Sequence, residues 1–118
     1  MARKSYAYVR AHRRKWGLTQ VELARLLGLA SRSAVSRIER AERVPTTATI
    51  IACGIIFGLA TPELFPSLHE EVEQEVLAAA VALAAELVGL NDAASVRKRA
   101  LLEQFLERIT NRNNTAEV

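Results

Sequence analysis

Apolar residues recur at intervals of three and four along nearly the whole chain. That period suits helices and argues against strands, whose side chains alternate every second residue. Proline, glycine and β-branched residues are too sparse and too badly spaced to mark out a sheet. The sequence therefore predicts an all-α protein. Its 118 residues suffice for one compact core, or for a small domain with a short appendage. The richest apolar stretch, Val76 to Leu90, is interrupted by Glu86 and falls short of the roughly 20 apolar residues a bilayer span needs, so no membrane partner is expected. Met1 to Arg14 is basic and carries no apolar secretory run, which makes the expected location cytoplasmic. The single cysteine, Cys53, can form no internal disulfide, and with His12 and His69 as the two histidines there is no metal-ligand spacing. No metal and no cofactor are expected.

Local signals divide the chain. Tyr6 to Lys15 reads as a first helix, with Val9, Arg13 and Trp16 on its inner stripe and Gly17 as breaker. Thr19-Gln20-Val21-Glu22 is a capping-box signature, so a second helix opens at Gln20, turns Leu23, Ala24 and Leu27 inward, and ends at Gly28. Ser31 is the expected cap of a third helix to about Arg40, with Ala34, Val35 and Ile38 on its apolar face. After Pro45, Thr46 or Thr47 opens a fourth helix through Ile50, Ile51, Ile55 and Ile56 that reads as largely buried. Thr61-Pro62-Glu63-Leu64-Phe65 makes one short turn before Pro66 stops it. Ser67-Leu68-His69-Glu70 repeats the capping-box pattern and opens a long helix to about Val88, with Leu68, Val72, Val76, Leu83 and Leu87 along one face. A last helix carries Val96, Leu101, Leu102, Phe105 and Ile109, and Asn111 to Val118 reads as a frayed tail.

Charge is distributed as unevenly as structure. Residues 1 to 44 hold eleven Lys or Arg against Glu22, Glu39 and Glu42, whereas residues 45 to 118 hold five basic and ten acidic groups. A basic module that meets a polyanion, joined to one that does not, gives this pattern; a solvated charged face gives it as well. The geometry of the basic half is more specific. Two short helices joined by a tight glycine-containing turn place the second helix in a DNA major groove. Ser33, Ser36, Arg37 and Arg40 share one face of that second helix, with Arg32 beside them, and guanidinium forks and small hydroxyls suit base edges and phosphates.

Arg13, Gly17-Leu18-Thr19-Gln20, Leu23-Ala24, Gly28, Val35-Ser36-Arg37-Ile38-Glu39-Arg40 and Pro45, taken in order, resemble the Xre-type, lambda-repressor-like helix-turn-helix family over roughly residues 6 to 60. The resemblance implies a five-helix DNA-binding domain with Ser31 to Arg40 as the recognition segment. It implies double-stranded DNA as partner, Arg32, Ser33 and Arg37 as base-contacting residues with Ser36 on the same face, and Gln20, Arg40 and Arg43 as phosphate-contacting residues with Thr19 beside them. It also implies an ion pair between Arg13 and Glu39, holding the first helix against the third. The chain departs from the family pattern in three places. One extra residue between Gly28 and Ile38 lengthens the turn at Leu29-Ala30-Ser31. Ala41 replaces a frequent glycine, so the third helix is expected to run on. His12 stands where an aliphatic residue is usual and reads as partly buried.

The expected organisation is a helix-turn-helix domain over residues 1–66, a two-helix C-terminal extension over 67–112 and a tail over 113–118. The extension either completes the monomer's core or pairs with its copy in a second chain. Two recognition helices related by a two-fold axis reach half-sites about 34 Å apart, which favours a homodimer. Glu70, Glu71, Glu73 and Glu75 sit at a helix start, where negative charge is favourable without any metal. The leading expectation is a transcriptional regulator, most simply a repressor on a palindromic operator. The alternative is an antitoxin-type module that binds a protein partner through residues 67–110 and regulates its own promoter. No enzyme is expected, because no Ser, Cys or Thr has an evident His partner.

Overall fold

Seven helices run in the order α1 (Ala7–Lys15), α2 (Gln20–Leu27), α3 (Arg32–Glu39), α4 (Thr47–Phe57), α5 (Thr61–Leu64), α6 (Pro66–Leu87) and α7 (Ala93–Ala116). The computed structural model describes residues 7–116 and contains no strand among them; Tyr6, the expected start of the first helix, lies outside. The fold class is all-α. The chain divides into two compact units, one ending at Glu71 and one beginning at Val72.

In the first unit, short helices are closed by paired terminal bonds. Thr19 caps α2 as its sequence requires: its Oγ1 accepts from Glu22 N–H at 3.0 Å, while the Glu22 carboxylate accepts from Thr19 N–H at 2.9 Å. At the other end Gly28 adopts the left-handed conformation, φ 70°. The amides of Gly28 and Leu29 return to the carbonyls of Arg25 and Ala24, a Schellman closure that satisfies two of the helix's free acceptors. The same pair of bonds ends α1, from Gly17 to Arg14 and from Leu18 to Arg13. It also ends α3, from Ala41 to Ile38 and from Glu42 to Arg37. Ala41 takes φ 58° there, so α3 stops at Glu39. The expectation that a missing glycine would let α3 run on fails, because the two closing bonds outweigh the left-handed penalty of an alanine, about 1 to 2 kcal/mol.

These turns bring α2 against α3 and α4, and α1 against α3 and α5. Val9, Leu23, Ala24, Val35, Ile38, Cys53, Leu64 and Phe65 form the buried core, with Leu29, Ile50, Phe57 and Leu68 packed against it. Each fully buried large side chain contributes about 1.5 to 3 kcal/mol. Two expectations are corrected. Trp16 is 66% exposed, because α1 ends at Lys15 and the reversal at Gly17 takes the ring off the Val9–Arg13 stripe. In α4, Ile51 and Ile55 are exposed and only Thr49 and Cys53 are fully buried. A helix apolar on all sides carries no signal for which face its neighbours cover, and here they cover the Cys53 side.

α5 is preceded by Ala60, whose N–H donates to the Glu63 carboxylate at 3.3 Å. Phe65 follows it, and α6 then opens directly at Pro66, ahead of the capping box expected at Ser67. Proline is accommodated in a first helical turn, where its missing N–H has no partner to lose.

In the second unit, α6 and α7 pair through Ala80, Leu87 and Leu102, with Ala84 and Phe105 alongside. Arg112 Nη2 meets Glu73 Oε1 at 2.5 Å, and Arg99 Nη1 donates to the Leu87 carbonyl at 2.7 Å. Asp92 caps α7, accepting from Ser95 N–H at 3.1 Å and from the Ser95 hydroxyl at 2.6 Å. The contact line on α6 is therefore Ala80-Ala84-Leu87. Val72, Val76 and Leu83 are exposed, as are Val96 and Leu101 of α7, contrary to the expected stripes. α7 remains helical to Ala116, past Asn111, where the tail is expected to begin. Among the described residues no helix is long and apolar enough to cross a membrane.

Candidate nucleic-acid interface

α3 buries Ala34, Val35, Ile38 and Glu39 and turns its other side outward. On that side Arg32, Ser33, Ser36 and Arg37 line one concave surface of about 250 Å³ together with Gln20 and Arg40. Arg32, Ser33 and Arg37 are exposed and Ser36 is half-buried. Ser31 precedes the helix in extended conformation without a capping bond from its side chain. Four residues, Gly28 to Ser31, join α2 to α3, and Leu29 anchors this longer turn by packing on the core.

Beneath this surface Arg13 and Glu39 make a buried bidentate pair. Arg13 Nε donates to Glu39 Oε2 at 2.6 Å and Nη2 to Oε1 at 3.1 Å, while Nη1 donates to the Leu18 carbonyl at 2.9 Å. Gln20 Nε2 adds a fourth bond, to Glu39 Oε1 at 3.2 Å. One carboxylate thus ties α1, the start of α2 and the end of α3 together. Removing either charge leaves the other buried and unpaired, whereas the intact, satisfied group fixes the angle at which α3 is presented. His12 lies on α1 with its ring 5.8 Å from that of Phe57, half-buried between α1 and α4.

A second, larger cleft of about 520 Å³ adjoins the first. Thr19, Gln20, Arg32, Ser36 and Arg40 line it, and so do Arg10 and Arg14 of α1. Gln20 and Val21 of the first turn of α2 also line it, and their backbone N–H groups have no acceptor among the described residues, as expected of a first helical turn, where the helix dipole also favours an anion. Arg40 lies between Ser36, whose carbonyl accepts from Nε at 3.4 Å, and Glu42, 3.3 Å from Nη2. Arg43 is exposed and lines neither cleft. Arg10 and Arg14 enter the sequence reading only as two of the eleven basic residues and not as site residues, although their spacing with Arg13 at i, i+3 and i+4 places all three on adjacent positions of one helix. The surface presents guanidinium groups, hydroxyls and free amides, a donor set for anionic oxygens and base edges. No group of His, Cys, Asp and Glu among the described residues is placed to hold a metal ion.

The profile of the helix-turn-helix domain family matches residues 7–68, more than half of the chain. The chain belongs to that family, a class of DNA-binding domains, and its matched segment contains both clefts. No curated protein matches the chain, and no solved structure does.

Proposed function

We propose that the chain is a sequence-specific DNA-binding regulator of the Xre type, acting as a homodimer on an inverted-repeat operator. The observation that carries the reading is the shared surface of Arg32, Ser33, Ser36 and Arg37 with Gln20 and Arg40, resting on the Arg13–Glu39 pair. In this reading α3 enters the major groove. Arg32 and Arg37 offer two-pronged donors to guanine O6 and N7, Ser33 and Ser36 offer hydroxyls to base edges, and Thr19, Gln20, Arg40 and Arg43 hold phosphates. Phosphate binding competes with Glu42 for Arg40. Occupying a promoter then represses by excluding polymerase.

Val81 of α6, Val88 in the turn just after it and Leu101 of α7 are 65%, 76% and 60% exposed, which supports a protein partner for this half. A second copy is the reading adopted, since it doubles the base contacts of one eight-residue recognition helix. The same exposed side chains favour, as a second reading, a different partner protein in an antitoxin-type arrangement. Light scattering on the purified chain separates the two: a concentration-independent dimer supports the first, a monomer that becomes a complex only with another protein the second.

The test of the reading contrasts two arginines. Arg37→Ala weakens binding to the preferred sequence by about 1 to 3 kcal/mol and relaxes preference at one base position. Arg43→Ala weakens all sequences alike and flattens the salt dependence. Equal losses on every sequence for Arg37→Ala would remove it as a reader.

A further inference from the structure

The arginines of the larger cleft are not equivalent. Arg13 is neutralised by Glu39, and Arg40 lies 3.3 Å from Glu42. Arg10, Arg14 and Arg32 make no ion pair with any described residue. Among the described residues Glu39 is the one carboxylate on the cleft wall, and both of its oxygens are already engaged by Arg13 and Gln20. Three guanidinium groups without a carboxylate partner among the described residues thus line one concave surface, an arrangement that favours an anion there. Favourable placement at a helix C-terminus accounts for Arg14, in the last turn of α1, but not for Arg10, a turn earlier. Gln20 and Val21, at the start of α2, line the same cleft.

We infer that Arg10 and Arg14 form a phosphate clamp on α1, gripping the DNA backbone in the cleft beside the start of α2 and carrying the footprint beyond the recognition helix. The inference rests on the DNA-binding reading above and adds to it two contacts that set affinity and register without reading bases. Their signature is the ionic-strength dependence of binding, because each neutralised phosphate releases counterions and contributes about 0.9 to the slope of log K against log salt.

The experiment measures binding of the full chain to a preferred and to a random duplex between about 50 and about 200 mM salt. Compared are the unaltered protein, Arg10→Ala/Arg14→Ala, Arg10→Gln/Arg14→Gln, Arg10→Lys/Arg14→Lys, and Arg25→Ala, an exposed arginine of α2 outside both clefts. Both neutral double variants should lower the slope by about 2, so that their deficit against the unaltered protein is about tenfold larger at the low-salt end than at the high-salt end. Their ranking of sequences stays as it was. The lysine variant keeps most of the slope, and Arg25→Ala keeps all of it. An unchanged slope in the glutamine variant, or a loss of base preference along with the slope, would overturn the clamp while leaving DNA binding itself in place. If the unaltered chain binds no duplex at any salt, the reading fails and the clamp with it.

Discussion

Arg13 and Glu39 are both more than nine-tenths buried, and the cost of separating them follows from what each leaves behind. Glu39→Ala strands a guanidinium in the core and removes the acceptor for Gln20, a loss of about 3 to 5 kcal/mol. Arg13→Met/Glu39→Leu removes both charges and should cost less than either single change, as read from urea unfolding; a double variant at the sum of the singles would deny the coupling. Ala41 supplies the opposite case. Held at φ 58°, it pays a left-handed penalty that glycine does not, so Ala41→Gly should stabilise the protein by about 1 kcal/mol. A lower melting temperature for that variant would contradict the account. At this scale the sequence was most legible where a residue announces its own bond, as Thr19 and Glu22 do. It was least legible at Ala41, since alanine carries no local sign of a left-handed backbone and the turn is imposed by the bonds around it.

The ends of the elements carry the pH dependence. The Ser95 hydroxyl and then the Ser95 amide hold the Asp92 carboxyl below its ordinary range. The Thr19 amide and then the Thr19 hydroxyl do the same for Glu22. A carboxyl whose pKa is depressed on folding contributes stability above its unfolded value, and that contribution is lost as pH falls through the folded value. The starts of α2 and α7 should therefore loosen in acid before the core does, seen as earlier amide exchange at Thr19 and Ser95, whose N–H groups donate to the two carboxylates. Asp92→Asn should abolish the pH dependence at α7 alone; an unchanged pH profile there would remove Asp92 as its source. Helix existence was readable from period and caps; facing was readable in α2 and α3, whose expected inner residues are buried or, at Leu27, half-buried, and not in α4 and α6. α4 is apolar all round and α6 has an apolar arc wider than one neighbour can cover, so Ile55 and Val76 are equally good core candidates as letters and are exposed in the fold. The cleft shared by α1, α2 and α3 was hidden for a related reason: Arg10 and Arg14 join it only because α1 packs on α3, a distance in space that spacing along the chain does not encode.

Across the whole molecule, charge and architecture divide together. Nine of the eleven basic residues of the first 44 lie in the matched helix-turn-helix segment, whereas the acidic excess lies beyond it, in a sequence whose second unit pairs two helices and leaves apolar side chains exposed. In the proposed reading DNA meets the first unit and a protein partner the second. The claim at its centre, that the outer face of α3 reads base sequence in two copies, is tested most directly by selecting bound duplexes from a random library at low and at near-physiological salt, because the electrostatic part of binding fades with salt and base reading does not. An inverted repeat with half-sites about 34 Å apart, enriched at both salt concentrations, is the result the account predicts. Recovery of no common sequence, with binding that vanishes as salt rises, would contradict it.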